Sequence, residues 1–395
     1  MSFLGYPRPD GSVGIRNEVL VLPGGLPSTR ICEFVAGTCT MITADSGSGR
    51  TARDRETIAR MMVGLGRNPN VAAVIVHDLE PGAGYPELNA DHMAAQIARS
   101  GKPVVVLKGR DFRDALDLIS QGIRIAREMV RDASRVRRVE VDDCHLCVGV
   151  KCGKSDTTSG IAGNPVVGYL YDHIVRAGGT ALFGETTEII GAEHLLAERA
   201  ATPEVGRQIV VAALAIEQRA QACGEDIRSI NPVPANIAGG ITTLEEKSLG
   251  AIAKSGTAPI QGVLSYAEGP PGRGLYFVDN WMTGTSIFTG YAAAGTTLNL
   301  FQLGGGGALD DTMLAPGLGV VAPVLWTTAN RFTADAAVGS IDFSAASVIA
   351  GEETIEEAGL RLVQLVREIA SGMYTRTETI RYQAPSQAYL QDSPF

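Results

Sequence analysis

The residues able to do chemistry gather in two stretches of this 395-residue chain. Residues 144–200 carry Cys144, Cys147, Cys152, Ser155, Asp156, Asn164, Glu185, Glu188, Glu193 and His194 among many glycines; residues 231–250 add Asn231, Asn236, Glu245 and Lys247. Carboxylates are hard oxygen ligands that suit Mg²⁺, Mn²⁺ or Fe²⁺. Glu188 and Glu193 also stand near a predicted helix start, where a carboxylate is favoured with no metal involved. Histidine is the residue type whose charge changes near neutral pH, which makes His194 a candidate base, although a lone histidine on a helix serves structure as readily. Lys247 has three readings: a base if desolvated, a cation holding a carboxylate, or an ordinary solvated helix lysine. Asn164, Asn231 and Asn236 lie in NP or PxN loops, suited to orienting substrate hydroxyls or to making turns.

The spacing Cys144-x2-Cys147-x4-Cys152, with His145 inside it, looks like a metal knuckle. A structural zinc would take its fourth ligand from His145 or the distant Cys223. An iron–sulfur cluster and plain burial as small hydrophobes are the other readings. Cys152, close to Lys151 and Lys154, is also a candidate thiolate near the substrate. The run Gly304–Gly307 either cradles an anion with backbone N–H groups or is a flexible loop. It is no dinucleotide fingerprint, because no GxGxxG follows a strand and opens a helix.

These residues need a scaffold, and the hydrophobic pattern predicts one. Strands are expected at 18–22, 71–76, 104–107, 180–183, 260–265, 297–301 and 320–326. Helices are expected at 51–64, 86–99, 111–131, 166–177, 192–199, 204–223, 243–254 and 354–371. Thr243, with Glu246 three residues on, fits a capping box. Strands alternating with helices imply parallel sheets between helical layers, an α/β fold. The charged run 131–143 reads as a boundary between an N-terminal α/β domain (1–138) and a C-terminal catalytic α/β domain (139–395).

Length and composition agree with two domains. The net charge of −9 argues against nucleic acid or an anionic membrane as partner, though not against a locally positive site. No apolar run reaches membrane-spanning length. The start has no signal-peptide core, and the six cysteines form no secreted-type framework, so a reducing cytoplasm is expected.

Four segments in register carry a resemblance. They are GYPRPDGSVGIRN (5–17), KCGKSDTTSGIAGNP (151–165), GETTEIIGAEHLL (184–196) and NPVPANIAGGITTLEEKSLG (231–250). Together they resemble the altronate/galactarate dehydratase family, which also contains the sulfolactate sulfo-lyase large subunit. The resemblance implies a C-terminal domain that is a Rossmann-like variant, and a metal-dependent dehydration of a hydroxy acid or sugar acid through an enediolate. It implies Fe²⁺ or Mn²⁺, with Mg²⁺ as the alternative, held by Asp156 and Glu185 with Glu188. His194 and Lys247 would divide the proton work, with Cys152 as a further catalytic candidate. Ser155, Asn164, Asn231, Asn236, Glu245 and Gly305 would bind substrate. It also implies a separate small β-rich subunit and a homo-oligomer.

The chain departs from the family pattern. An arginine expected at the Gly304–Gly307 loop is missing, and 317–322 is apolar where a lysine is expected. A histidine–glycine–cysteine segment appears only as TADSGSG (43–49), and a GLGCE-like segment as HDLEPG (77–82). These changes remove positive charge and a thiol, which makes a dianionic sugar diacid a poorer candidate. They keep two other readings open: a carbon–sulfur lyase that releases sulfite from a sulfonated hydroxy acid, and a silent ligand-binding or regulatory subunit.

Overall fold

The computed structural model describes residues 2–43, 47–78, 84–305, 319–380 and 386–395. Gly306, Gly307 and parts of the 43–49, 77–82 and 317–322 segments therefore lie outside the described residues. Three sheets organise the rest. A small antiparallel sheet joins β1 (Ser2–Pro7), β2 (Val13–Gly14) and β7 (Val139–Asp142) in the order β2-β1-β7. The run 131–143 is thus more than a linker: its alternating half places β7 against the chain's first strand, with Phe3 opposite Val141.

The N-terminal sheet is parallel, in the order β4 (Thr38–Thr40), β3 (Glu18–Leu22), β5 (Val71–His77), β6 (Val104–Leu107). Four helices flank its strands: α1 (Gly25–Phe34), α2 (Ala52–Arg67), α3 (Ala90–Ala98) and α4 (Ala115–Ala133). Local chemistry sets their starts. Thr51, Asn89 and Asp114 each accept a backbone N–H of the first turn, as N-caps do. The Asn89 cap separates α3 from a short turn at Pro86–Leu88, so the helix expected over 86–99 is broken.

The C-terminal sheet has seven parallel strands. They are β8 (Cys147–Gly153), β9 (Thr180–Phe183), β10 (Ile260–Leu264), β11 (Gly274–Val278), β12 (Leu298–Leu303), β13 (Val324–Thr328) and β14 (Phe343–Ser344), in the order β10-β11-β9-β8-β12-β13-β14. The chain builds outward from β8 on one side and then returns to lay β12 on the other. The crevice between the carboxyl ends of β8 and β12 is the switch point, where open parallel sheets place ligands. The helix α5 (Asn164–Arg176) and the helix Ile355–Ala370 pack with Val148, Val150, Leu298 and Leu300 into one core. On the opposite face Phe288 and Tyr291 of α11 (Gly284–Ala294) pack with Leu182, Phe301, Leu303 and Trp326. Gly149 permits this close approach, since a β-carbon there would stand 2.6 Å from the Tyr291 ring and from Asn299 Oδ1.

The segment expected to be a cysteine knuckle is therefore the central strand. Cys147 and Cys152 are five residues apart on β8. An odd spacing turns them to opposite faces, and five steps separate their backbones by about 16 Å. They cannot share a metal with Cys144, and all six cysteines are unpaired. β11 and α11 were not expected from the pattern. α11 is buried from Ser286 to Ala294 and so has no polar stripe to mark its period.

Candidate functional site

Glu185 is the hub of a buried ionic cluster at the carboxyl ends of β8 and β9. It follows Phe183 and Gly184 and takes the left-handed backbone conformation at φ 70°, a strained choice for a residue with a side chain. That turn directs the carboxylate back over β8. Oε2 accepts the Cys152 backbone N–H at 2.9 Å, and Oε1 lies 3.2 Å from Lys151 Nζ. Lys254 Nζ closes on Oε2 from the turn after α10 (Leu244–Ile252). The same ammonium donates to Cys152 Sγ at 3.1 Å. Cys152 in turn points its thiol at Glu185 Oε2, 3.5 Å away, and at Glu188 Oε2, 4.0 Å away. Glu188 Oε1 is paired with Lys247 Nζ at 2.9 Å, and that ammonium also donates to Asn231 Oδ1 at 2.6 Å.

The charges follow from this packing. Burial alone would raise the Glu185 carboxyl, but Lys151 and Lys254 outweigh it and hold the group below the usual carboxylate range. Burial alone would lower the Lys254 ammonium. The Cys152 sulfur, Glu185 and Glu188 reverse that and raise it above the ordinary lysine value. Cys152 itself is pushed up to about 11, first by burial and then by the Glu185 charge. It is a thiol at neutral pH, so the two carboxylates are what keep Lys254 charged. Three ammonium groups thus face two carboxylates, an excess of one positive charge in a buried site.

Lys247 connects this cluster to the surface. With Ser155, Asp156, Ser159, Asn164, Glu246 and Gly250 it lines a cleft of about 320 Å³. Three of the polar atoms buried around it have no hydrogen-bond partner: Asn164 Oδ1, Asn231 Nδ2 and Ser248 Oγ. A larger cavity of about 700 Å³ lies at the β4 edge of the N-terminal sheet, lined by Arg16, Glu18 and Cys39. It holds none of the converging lysines, so the chemistry belongs to the smaller cleft.

The expected residues divide between these surroundings. Cys152, Lys247, Glu185 and Glu188 converge, and Asn231 joins them through Lys247. Ser155, Asn164 and Asp156 line the cleft, while Asn236 donates to the Ser155 carbonyl at 2.9 Å and so supports its wall. Gly305 lies after β12 against Asn330 and Thr333, and Gly304 lies against the Asp156 backbone. Glu245 pairs with Arg228 at the surface and not with Lys247. Glu246 accepts from Thr242 and not from the Thr243 backbone, so Thr243 caps α10 without a full capping box. His194 is solvent-exposed on α6 (Glu193–Glu198), because α6 buries Leu196 instead.

A divalent metal does not fit the three acids expected to hold it. Asp156 Oδ1 is taken by Thr158 and Ser159 and Oδ2 by Asn330, on the β13 side. Glu185 and Glu188 are matched by lysines, and a dication would enter a pocket that already carries excess positive charge. Among the described residues no group of three or more His, Cys, Asp or Glu side chains is placed to hold a metal ion.

Lys254 is the functional candidate that the motifs did not single out. One signal was available: it stands seven residues after Lys247, two helical turns along one stripe, where a buried helix face should be apolar. Its partner Glu185 is 69 residues away.

Comparison with known proteins gives two family matches covering most of the chain. Residues 144–390 match D-galactarate/Altronate dehydratase, C-terminal, and residues 5–134 match D-galactarate dehydratase/Altronate hydrolase, second domain. The chain is 36% identical over 391 residues to the (2R)-sulfolactate sulfo-lyase subunit beta of Chromohalobacter salexigens, covering 97% of this chain and 96% of that one. It is 30% identical to the altronate dehydratase of Bacillus subtilis over 95% of this chain and 75% of that one. It is 34% identical to the galactarate dehydratase (L-threo-forming) of Escherichia coli over 65% and 47% respectively.

Proposed function

The chain belongs to the D-galactarate/altronate dehydratase family, a family of lyases, and from that premise we propose that it eliminates a β-substituent from a small hydroxy-acid anion. The observation that carries this reading is the buried excess of lysine over glutamate, opening on the cleft at Lys247. A substrate carboxylate that reaches Lys247 balances that cluster; the Asp156 and Glu246 carboxylates, which also line the cleft, are hydrogen-bonded to neutral groups outside it. In this reading Lys247 binds that carboxylate and takes up the charge that develops on it as the α-proton leaves. Glu188, beside Lys247, takes the proton, because Glu185 is locked by two lysines and a backbone N–H. The C–H electron pair becomes the new C=C bond, the β-bond breaks with its pair on the leaving group, and the enol product tautomerises to a 2-keto acid.

We take a sulfonated hydroxy acid, itself a dianion, as the first substrate class on sequence similarity rather than on charge. One relative matched over nearly the full length of both chains is a sulfolactate sulfo-lyase subunit. Sulfite also departs as an anion without needing a proton, which suits a site from which His194 is absent. Dehydration is the second reading, favoured by the dehydratase relatives; Lys247 would then donate the proton to the leaving hydroxyl. A subunit beta is by name one part of an assembly, so a second, small β-rich subunit belongs to the proposal, as do self-association and a cytoplasmic setting for six free thiols. No described helix is long and apolar enough to cross a membrane.

The test uses the chain with whatever subunit co-purifies. (2R)-Sulfolactate should yield pyruvate and sulfite in equal amounts, whereas altronate or galactarate should yield a 2-keto-3-deoxy acid if dehydration is the activity. Absence of every product, together with no exchange of the α-proton in D₂O, would overturn the lyase reading.

A further inference from the structure

The turn that carries Lys254 is held from α5 by one stripe of residues. Asn164, Gly168 and Asp172 follow one another at intervals of four, so they lie on one face of that helix. Each meets the main chain that runs from α10 through the turn Ala253–Ser255 to Ala258. Asn164 Nδ2 donates to the Gly250 carbonyl at 2.8 Å. Gly168 lets the helix backbone rest on the turn, since a β-carbon there would collide with the Ala253 carbonyl oxygen. Asp172 Oδ1 accepts the Thr257 and Ala258 N–H groups at 2.7 and 3.0 Å, and its Oδ2 accepts the Thr257 hydroxyl at 2.8 Å. Arg199, at the end of α6, grips the same turn by donating to Ser255 Oγ at 3.0 Å and to the Ala258 carbonyl at 3.1 Å. Between these anchors Gly256 takes φ 65°, and a β-carbon on it would stand 2.5 Å from Asp172 Oδ1, so the turn passes directly against the aspartate.

We propose that Asp172 is a positioning residue for the reaction, acting through Lys254; this deepens the reading above and rests on it. Asp172 does not line the cleft, and it is half-buried while Lys254 is buried, so the clamp sits outside the cluster and acts inward. The Lys254 ammonium must stand against Glu185 Oε2 and 3.1 Å from Cys152 Sγ at once. A lysine stem is flexible, so meeting both atoms requires that its backbone be held. The Asp172 bonds fix that backbone just after Lys254, where it passes over the carboxyl ends of β8 and β9. Without them Lys254 drifts from Glu185, the Glu185 carboxylate is left to Lys151, and the charge beside Glu188 and Lys247 changes. A displacement of about 1 Å is enough to cost about 10²-fold in rate. The role is geometric rather than ionic. An asparagine in this place serves, because its Oδ1 accepts both N–H groups and its Nδ2 donates to Thr257 Oγ1.

The test is a double-mutant cycle on the chain with whatever subunit co-purifies: wild type, Asp172→Ala, Lys254→Met and the pair. It reads kcat for the acid that the wild type eliminates, (2R)-sulfolactate or altronate, and denaturant stability in the same four proteins. Asp172→Ala should lower kcat about 10-fold or more. In the Lys254→Met background the same substitution should change kcat less than about 2-fold, since the group being positioned is gone. Asp172→Asn should recover most of the wild-type rate. Thr257→Val, which removes only the hydroxyl arm, carries the cycle if Asp172→Ala does not fold. An equal fall in kcat in both backgrounds, a wild-type rate in Asp172→Ala, or an asparagine variant as slow as the alanine variant overturns the proposal. Stability separates this from failure of the parent reading. Asp172→Ala should cost less stability in Lys254→Met than in the wild type, a difference measurable even in a protein that eliminates nothing. Equal costs overturn the clamp; unequal costs with no elimination product leave the clamp standing and overturn the lyase reading.

Discussion

Lys247 Nζ lies 2.9 Å from Glu188 Oε1, with both side chains only 5% exposed. This pair is where the buried cluster meets the cleft, since Lys247 lines the cleft and Glu188 reaches Cys152. Lys247→Met should lower kcat/KM by about 10²-fold or more, the scale on which positioned acid–base and charge-stabilising groups act. Lys247→Arg should not restore it, because a planar guanidinium cannot replace a compact ammonium bonded to both Glu188 and Asn231. Steady-state kinetics on both variants check this, and near-normal turnover in Lys247→Met would remove Lys247 from the reaction.

Glu185 and Lys254 should be strongly coupled. Glu185→Gln leaves Lys151 and Lys254 buried without their shared carboxylate and should cost about 3–5 kcal/mol of stability. Lys254→Met should also destabilise. The double variant Glu185→Gln/Lys254→Met should be less destabilised than the sum of the two, since it removes both charges. Denaturant melts across the four proteins measure the coupling, and strict additivity would mean that the pair does not interact as the geometry states.

Thiol reactivity should separate the cysteines. Cys152 is buried and its thiol is pushed up to about 11, by burial first and the Glu185 charge next, so little thiolate exists at neutral pH. Cys223 is exposed. Iodoacetamide at pH 7.5 should therefore label Cys223 in the folded protein and leave Cys152 unmodified until denaturant is added. Peptide mass mapping reads the outcome; fast labelling of Cys152 would contradict its burial.

His77 makes the N-terminal sheet sensitive to acid. Its Nε2 lies 2.8 Å from Ser28 Oγ, its Nδ1 is buried without a partner, and burial lowers its pKa to about 4. A folded-state value below the unfolded value near 6.5 means that the unfolded chain binds the proton first. This contribution to stability is fully present above about pH 6.5 and is lost as the pH falls towards 4. Wild-type protein should lose up to about 3 kcal/mol more than His77→Gln on going from pH 7 to pH 4. Denaturant titrations at the two pH values test this, and parallel losses in both proteins would show that folded His77 takes up the proton as readily as the unfolded chain does.

The sequence by itself determined the local layer of this protein. Short β-branched runs such as Val71–His77, caps such as Thr51 and Thr354, and the apolar stripe of Ile355–Ala370 act over a few residues, so their chemistry is readable in order along the chain. Residue type and the family resemblance, which are likewise local features, marked the segments in which Asp156, Glu185, Glu188 and Lys247 stand. Only the tertiary structure decided what each of them meets. Glu185 finds Lys254 across 69 residues because β9 lies beside β8 and α10 ends over their carboxyl edge; Asp156 finds Asn330 across 174 because β12 and β13 return to the other side of β8. Sheet order is a long-range property, and periodicity within one segment does not encode it. For that reason a cysteine run that reads as a knuckle is a central strand, and a histidine beside a glutamate faces solvent. A lysine with no motif of its own closes the cluster, because burial beside two carboxylates keeps it charged where an isolated lysine would be neutral.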